Sequence, residues 1–290
     1  MLLTCLLKKS LVGNRMKPLV SICLSTYKRP KWLKESLESI LVQQGVDVQL
    51  ILMDNGSNCS ETDSVIEQLL PKFYKYSYIK FLSNDFKHFG RMEALIDGNY
   101  VTQFTDDDRM LPGNLYTKVS ALQSSGAGIC FSPAWHIDQD GKRCGSSGGF
   151  RRGDIIHPKF NDLFATSRLI MPSVMMTRDA WEIPHWGHVI GHEWGRYLSI
   201  VEAGQRVRQI THPLVELRLH AGTDTNVRGL GDGMFLDMHL QTWKYWMEKN
   251  YTPPQQVKDD MYRIYFDLAW KKYGEGPMLV EACKDFCNLW

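Results

Sequence analysis

Residues 19–30 read Leu-Val-Ser-Ile-Cys-Leu-Ser-Thr-Tyr-Lys-Arg-Pro, an apolar run that ends in a polar turn closed by proline. A short apolar run bounded by turn residues is typical of a buried β-strand. The apolar residues between Trp32 and Val42 then recur at the spacing of one helix face. This stretch therefore predicts a strand, a polar turn at its carboxyl end, and a helix.

The same alternation continues through the first half of the chain. Three further apolar runs have the length and bounding turns of strands: 48–53, 78–82 and 100–105. Helical patterns separate them, at 62–70 and in the stretch that carries Met92, Leu95 and Ile96. Repeated strand-helix-strand units are joined by right-handed crossovers, which produce a parallel sheet with helices on both faces. The predicted fold class is α/β, with a mostly parallel sheet.

Polar side chains capable of chemistry follow three of these predicted strands. They are Thr26, Tyr27, Asp54 and the run Asp106-Asp107-Asp108. Ligands of such sheets bind outside the carboxyl ends of the strands, so we expect these side chains to converge on one edge. No GxGxxG follows the first strand and no GxxxxGK[ST] occurs in the sequence. The two commonest backbone cradles for phosphate are therefore excluded.

The acidic run is the strongest local signal for a metal. Three consecutive carboxylates at a strand end cannot all stay ionised and close together unless a cation holds them. Hard oxygen ligands favour Mg²⁺ or Mn²⁺, which keep positions open for substrate phosphates. The alternative is a solvated turn or helix cap before Leu111-Pro112. The position of the run after a buried strand favours the metal.

Composition narrows the class of protein. The chain has 290 residues, a formal net charge of +2, 43% hydrophobic residues and 23% charged residues. These values are ordinary for a soluble globular protein and argue against disordered, collagen-like and membrane-embedded classes. The near balance of charge also argues against a nucleic-acid binder. A small-molecule enzyme is the class that the composition favours.

The cysteines and the N-terminal apolar run bear on the cellular location of the protein. Seven scattered cysteines without a CxxC pair are typical of reduced thiols in a cytoplasmic protein. The apolar run Met1 to Leu7 is too short to span a membrane and lacks the features of a signal peptide. We therefore predict no transmembrane segment, and we expect residues 1–16 to be an extension outside the fold.

The chain resembles family-2 glycosyltransferases of the GT-A fold. The matching stretches, in order, are 20–30, 52–57, Arg91 with its helix, 105–115, 191–194, 202–204 and 217–223. The resemblance implies a GT-A domain at 17–228, with a nucleotide-binding half at 17–125 and an acceptor half at 126–228. Beyond it, 229–290 has helical patterns and aromatic stripes. Such stripes are more often packing than binding, although acceptor binding or peripheral membrane contact at this region is also open.

The resemblance also implies site residues. The positions that match nucleotide-sugar contacts are Ser25, Thr26, Tyr27, Arg29, Asp54, Asn55, Arg91, Asp106 and Asp108. Asp107 matches the direct ligand of Mn²⁺ or Mg²⁺, with Asp106, Asp108 and His220 as further metal contacts. Glu193 matches the catalytic base, and His192 stands where the family usually has a second acid.

The activity implied is the metal-dependent, inverting transfer of a sugar from a nucleotide-diphosphate sugar. The acceptor would be a hydroxyl of a glycan or lipid-linked molecule, in the synthesis of a surface polysaccharide or glycan. The alternative is a catalytically silent nucleotide-sugar-binding or scaffold protein. It is motivated by His192 and by Lys28, which stands where Asn is common.

Overall fold

The computed structural model describes residues 17–85, 88, 90–147, 160–185, 192–223 and 234–289. The predicted extension 1–16 lies outside these residues. The chain divides into two compact units. The first unit consists of 1–157, 169–183 and 205–218, and the second of 158–168, 184–204 and 219–290. The predicted acceptor half, 126–228, contributes segments to both units.

The strands of the described residues all belong to the first unit. They are β1 (Leu19–Thr26), β2 (Asp47–Asp54), β3 (Lys75–Lys80), β4 (Tyr100–Thr105), β5 (Arg109–Met110), β6 (Ile129–Phe131), β7 (Ala134–Ile137), β8 (Arg143–Ser147), β9 (Val174–Thr177), β10 (Val207–Gln209) and β11 (Val215–Arg218). The helices of this unit are α1 (Pro30–Leu41), α2 (Ser60–Leu69), α3 (Gly90–Glu93), α4 (Asn114–Ser125) and α6 (Arg178–Trp181).

Among the described residues, seven strands form the main sheet, in the order β10-β6-β9-β4-β1-β2-β3. β4 is the central strand, and its neighbour β1 pairs in parallel with both β4 and β2. β9 is antiparallel to β4 and β6. The central strands are buried along almost their whole length because helices cover the sheet. The predicted mostly parallel α/β fold is confirmed.

A second, smaller sheet has the order β5-β11-β7-β8. β5 follows the acidic run directly and pairs with β11, so that Met110 lies opposite Val215. This pairing brings a strand from more than a hundred residues later in the chain against the acidic run. The sequence patterns did not predict this sheet, because its strands are two to five residues long.

Two predicted elements are corrected. The third strand was predicted at 78–82 and occupies Lys75–Lys80 instead. β3 is an edge strand, and edge strands tolerate charged residues. Because Lys75 is charged, the apolar pattern did not indicate where the strand begins. The helix predicted around Met92, Leu95 and Ile96 is only the four-residue α3, Gly90–Glu93. Met92 and Ile96 are buried, so their spacing reflects core packing rather than a long helix.

The second unit contains the predicted C-terminal helices. Its helices are α5 (Phe160–Phe164), α7 (His192–Glu202), α8 (Met234–Glu248), α9 (Gln255–Tyr273) and α10 (Pro277–Cys287). Trp194 and Trp243 are buried, and their indole N–H groups donate to the carbonyls of Leu163 and Phe164. Trp246 and Tyr265 are buried as well, so this part of the aromatic stripe is core packing, whereas Tyr262 and Trp270 are about half exposed. None of the helices in the described residues has the length and apolar character that spanning a bilayer requires.

Lys118, on α4, is a buried cation in the first unit. It is 1% exposed, and its Nζ atom has no hydrogen-bond partner. Burial lowers the pKa of Lys118 to about 8. The charged form is therefore disfavoured in the folded state and freely solvated in the unfolded state.

Lys118→Met is expected to stabilise the protein at pH 7 by on the order of 2–3 kcal/mol, because folding no longer buries a charge. Between about pH 8 and pH 10.5 the unfolded state holds a proton on Lys118 that the folded state lacks. The wild-type protein should therefore gain stability relative to the variant as pH rises through this range. Denaturant unfolding at pH 7 and pH 10 measures both effects. A variant less stable than wild type at pH 7 would contradict this account of Lys118.

Candidate active site

The carboxyl ends of β1, β2 and β4 meet at one edge of the main sheet, as predicted. Thr26 lies opposite Asp54 in the pairing of β1 with β2, and Ser25 lies opposite Thr105 in the pairing of β1 with β4. The acidic run follows Thr105 directly. The parallel register thus places residues far apart in sequence side by side at the position where ligands of α/β sheets bind.

Asp106 is tied to the end of β1. Its carboxylate accepts hydrogen bonds from the Thr26 hydroxyl at 2.8 Å and from the Tyr27 backbone N–H at 3.2 Å. Arg29 Nη1 lies 3.0 Å from its other oxygen. Burial, and then the charge of Asp107, raise the pKa of Asp106 to about 6, while Arg29 opposes the shift. The side chain is a buried anchor between two strand ends.

Asp107 shares the same guanidinium. Arg29 Nη1 lies 3.1 Å from Asp107 Oδ2, so that one nitrogen bridges two neighbouring carboxylates. The Asp107 side chain is 9% exposed and that of Arg29 is 21% exposed. Asp107 is therefore buried, whereas Arg29 is partly accessible at the margin of the site.

Asp108 points into the smaller sheet. Its carboxylate accepts hydrogen bonds from the Thr105 hydroxyl and, at 2.8 Å, from the backbone N–H of Arg218. Burial, and then the charge of Asp107, raise the pKa of Asp108 to about 8. Asp108 thus holds the acidic turn against β11.

Arg218 is a residue whose role the sequence did not indicate. Its guanidinium is buried and donates to the carbonyl of Asp107 at 2.9 Å, to the carbonyls of Asp138 and Gln139, and to the carboxylate of Glu35 at 2.5 Å. It also lies over the ring of Trp32, 5.4 Å from the centroid. The predicted strand-end motif was therefore incomplete: Arg218 fixes the backbone of the acidic turn from another strand. The signal in the sequence was its place within the matching stretch 217–223, two residues before His220.

Asp54 and Asn55 are engaged with their own loop. Asp54 is fully buried and accepts from the Ser57 backbone N–H at 2.8 Å. The side-chain nitrogen of Asn55 donates to Asn84 Oδ1 at 2.6 Å, and its side-chain oxygen lies 2.7 Å from His88 Nδ1. Both ends of the Asn55 side chain are therefore occupied within the protein. His88, which the sequence analysis did not single out, is stacked on Phe81 with 3.6 Å between the ring centroids.

Lys28 has a conformation that accounts for the asparagine common at this position. Its φ is +53°, in the left-handed region that asparagine tolerates better than lysine. Its backbone N–H donates to the Ser57 hydroxyl at 2.9 Å, while its side chain is exposed. The departure from asparagine therefore concerns backbone preference, and it removes one motive for the scaffold hypothesis.

The other predicted residues are distributed as follows. Ser25 is half-buried at the end of β1, and Arg91 is exposed on α3. Glu193 lies in the first turn of α7, in the second unit. Its charge, after burial, contributes to raising the pKa of Tyr197, one turn further along the helix. The side chain of His192 lies outside the described part of the structure.

The acidic turn is the candidate metal site. In the described ranges, no three or more His, Cys, Asp and Glu side chains are grouped so that they could hold a metal ion. The predicted set of Asp106, Asp107, Asp108 and His220 is thus not assembled there as a centre made of protein ligands alone. His220 belongs to the second unit. The acidic turn does fit an open site of one or two carboxylates completed by substrate phosphates, the arrangement that Mg²⁺ commonly uses.

Comparison with known proteins identifies the family. The model of the family described as "Glycosyl transferase family 2" matches residues 21–181, more than half of the chain. The chain therefore belongs to glycosyl transferase family 2. An uncharacterized glycosyltransferase of Methanocaldococcus jannaschii is 30% identical over 135 residues, which are 45% of this chain and 47% of that protein. An uncharacterized glycosyltransferase of Rickettsia felis is 23% identical over 215 residues, 71% of this chain and 34% of that protein. The chain thus spans less than half the length of these relatives.

Solved structures confirm the GT-A fold. S. aureus TarS 1–349 in complex with UDP-GlcNAc has a TM-score of 0.68 and 11% identity, covering 93% of this chain and 81% of that chain. The mannosyltransferase PcManGT from Pyrobaculum calidifontis, in complex with GDP-Man and Mn²⁺, has a TM-score of 0.57 and 14% identity, covering 92% of this chain and 74% of that chain. At such identities these similarities establish the fold, including its helical C-terminal region.

Proposed function

We propose that this chain is a glycosyltransferase that takes its sugar from a nucleoside-diphosphate sugar bound at the carboxyl ends of β1, β2 and β4. The observation that carries the proposal is the Asp106–Asp108 turn. Three buried carboxylates are fixed there by contacts from β1, the turn between β1 and α1, and β11. Three buried carboxylates contribute little to the stability of the fold, because removing them from water is costly. This cost favours a binding role for the turn.

The first unit supplies a setting for the diphosphate. A cleft of about 340 Å³ lies at the start of α1, lined by the basic residues Lys28, Arg29 and Lys31 together with Trp32 and two residues of the β7–β8 turn. Cationic side chains at a helix start favour phosphate, because their charges and the helix dipole act in the same direction. Thr26, Tyr27 and the residues after β2 would face the nucleoside, in line with the resemblance.

Asp107 would hold a divalent cation, Mn²⁺ or Mg²⁺, with one of its two neighbours. When bound, such an ion supplies positive charge that stabilises a leaving diphosphate. The chain's own contribution is positional. Asp106 is held by Thr26 and Tyr27, Asp108 by Thr105 and Arg218, and Arg218 fixes the Asp107 carbonyl. These contacts fix the backbone of Asp107 at the sheet edge, so that less conformational freedom is lost on binding.

Glu193 is proposed as the general base. It would remove the proton from an acceptor hydroxyl as that oxygen attacks the anomeric carbon and the bond to the diphosphate breaks, which gives inversion. The family resemblance and its place in the first turn of α7 support this role. His192, its neighbour, would orient Glu193 or contact the acceptor. We propose a hydroxyl of a glycan or lipid-linked glycan as the acceptor.

A thermal-shift panel tests the donor class. Uridine, guanosine, cytidine, adenosine and thymidine diphosphates are each added with Mn²⁺ and, separately, with EDTA. We expect one of them to raise the Tm by several degrees in Mn²⁺, because a ligand at about 100 times its Kd stabilises the folded state by about 2.7 kcal/mol. The shift should be much smaller in EDTA. The absence of a shift with all five nucleotides in Mn²⁺ would refute the proposed donor class.

A further inference from the structure

One guanidinium nitrogen neutralises the acidic pair from within the chain. Arg29 Nη1 lies 3.0 Å from Asp106 Oδ1 and 3.1 Å from Asp107 Oδ2. The two carboxylate side chains are 4% and 9% exposed. In such a poorly solvated site, the repulsion between neighbouring carboxylates is weakly screened, and a bridging cation offsets it. Arg29 thus provides the kind of interaction that a divalent ion would provide in the same place.

Arg29 is built so that its side chain can leave without disturbing the backbone. Arg29 is the N-cap residue of α1, and its backbone carbonyl accepts the first hydrogen bond of that helix, from the Leu33 N–H at 2.9 Å. The backbone is therefore anchored. The side chain is 21% exposed and faces the cleft at the start of α1.

We propose that Arg29 is the internal counterion of the Asp106–Asp107 pair, and that a divalent cation binds this pair only by displacing it. The inference rests on the proposed function and deepens it, since it concerns the affinity of that site for metal. Arg29 then lowers the affinity of the donor-free protein for metal, because a dication must compete with the guanidinium for the same oxygens and experiences its repulsion. Competition of this kind is reciprocal, so bound metal also loosens Arg29.

The test measures metal binding without any nucleotide. Free Mn²⁺ is titrated into metal-free protein and followed by electron paramagnetic resonance for the wild type and Arg29→Gln. Glutamine keeps hydrogen-bond donors near the carboxylates but has no charge. Arg29→Lys keeps the charge. Arg143→Met removes a guanidinium that pairs with another carboxylate, Glu216 at 2.9 Å, and is the matched control.

We expect Arg29→Gln to bind Mn²⁺ about tenfold more tightly than wild type, because the repulsion by the guanidinium is removed. Arg29→Lys and Arg143→Met should stay near the wild-type value, because both keep a positive charge beside the acidic pair. The Tm of Arg29→Gln should fall in EDTA, because the pair loses its counterion, and should rise more in Mn²⁺ than that of wild type. If Arg29→Gln does not fold in EDTA, Arg29→Met is refolded in Mn²⁺, and its Mn²⁺ affinity and that of wild type are compared by titration with EDTA. Equal or weaker Mn²⁺ binding by the uncharged variant overturns the inference.

The failure of this inference is distinguishable from the failure of the proposed function. If wild type shows a nucleotide-dependent rise in Tm but removal of the Arg29 charge leaves Mn²⁺ affinity unchanged, only the role of Arg29 is wrong. If neither protein binds Mn²⁺ at millimolar concentration, the inference is also overturned. The thermal-shift panel, in which each nucleotide is measured with Mn²⁺ and with EDTA, then tests donor binding independently of the role of Arg29.

Discussion

Asp107→Asn is expected to abolish the Mn²⁺-dependent part of nucleoside-diphosphate binding while the protein stays folded. Asparagine preserves the shape of the side chain but removes the charge that would hold the cation. Loss of one partner of a desolvated charge pair costs about 2–5 kcal/mol, or on the order of 30- to several thousand-fold in Kd. Isothermal titration with the nucleotide found in the thermal-shift panel measures this loss.

The control for Asp107→Asn is Asp179→Asn, an exposed residue on α6 that does not line the cleft. It removes the same charge from the same unit and should change the Kd by less than about threefold, as an exposed charge does. The fold of Asp107→Asn is checked by its Tm, which should not fall, because Asp107 lies in a like-charge cluster. Full Mn²⁺-dependent affinity in Asp107→Asn would remove this residue from the metal site.

Glu193→Gln is expected to lower turnover about 10²- to 10⁴-fold while donor affinity is retained. Glutamine keeps the reach of the side chain but cannot accept the acceptor's proton. The loss corresponds to ~3–5 kcal/mol of transition-state stabilisation. Turnover and donor Kd are measured on the same preparation, so that the loss of chemistry is separated from a loss of binding.

The matched control for Glu193→Gln is Glu202→Gln, an exposed carboxylate at the other end of α7. It should leave turnover within about twofold of wild type. If Glu193 only stabilised the start of the helix, its replacement would lower stability by about 1 kcal/mol and leave the rate intact. Full activity with a lowered Tm would therefore show that the base is another residue.

The main sheet could be predicted because its strands carry their own signal. β1, β2 and β4 are rich in apolar residues and buried along most of their length. Because the strands are parallel, the residues that follow them lie at the same edge of the sheet. The edge strand β3 was misplaced because half of it is solvated. Helix α3 was overextended because Ile96 is buried by packing and not by a helical turn.

The contacts that complete the site could not be predicted from local pattern. Arg218 lies 110 residues from Asp108, and the pairing of β11 with β5 that joins them involves only four residues. The contact of Arg29 with Asp106 and Asp107 depends on the rotamer of the arginine. The engagement of the Asn55 side chain depends on His88, which lies 33 residues later in the chain. A single sequence shows which residues are capable of chemistry, whereas only the fold shows which of them neutralise one another.

The central claim is that the chain turns over a nucleoside-diphosphate sugar. The direct measurement is the release of nucleoside diphosphate from a panel of nucleotide sugars, with Mn²⁺ and in the presence of simple glycans. We expect at least one donor to be consumed by wild type, with release abolished by EDTA and by Asp107→Asn and strongly reduced by Glu193→Gln. Tight, Mn²⁺-dependent binding of a nucleotide sugar with no release from any donor would contradict the claim and leave a silent nucleotide-sugar-binding protein.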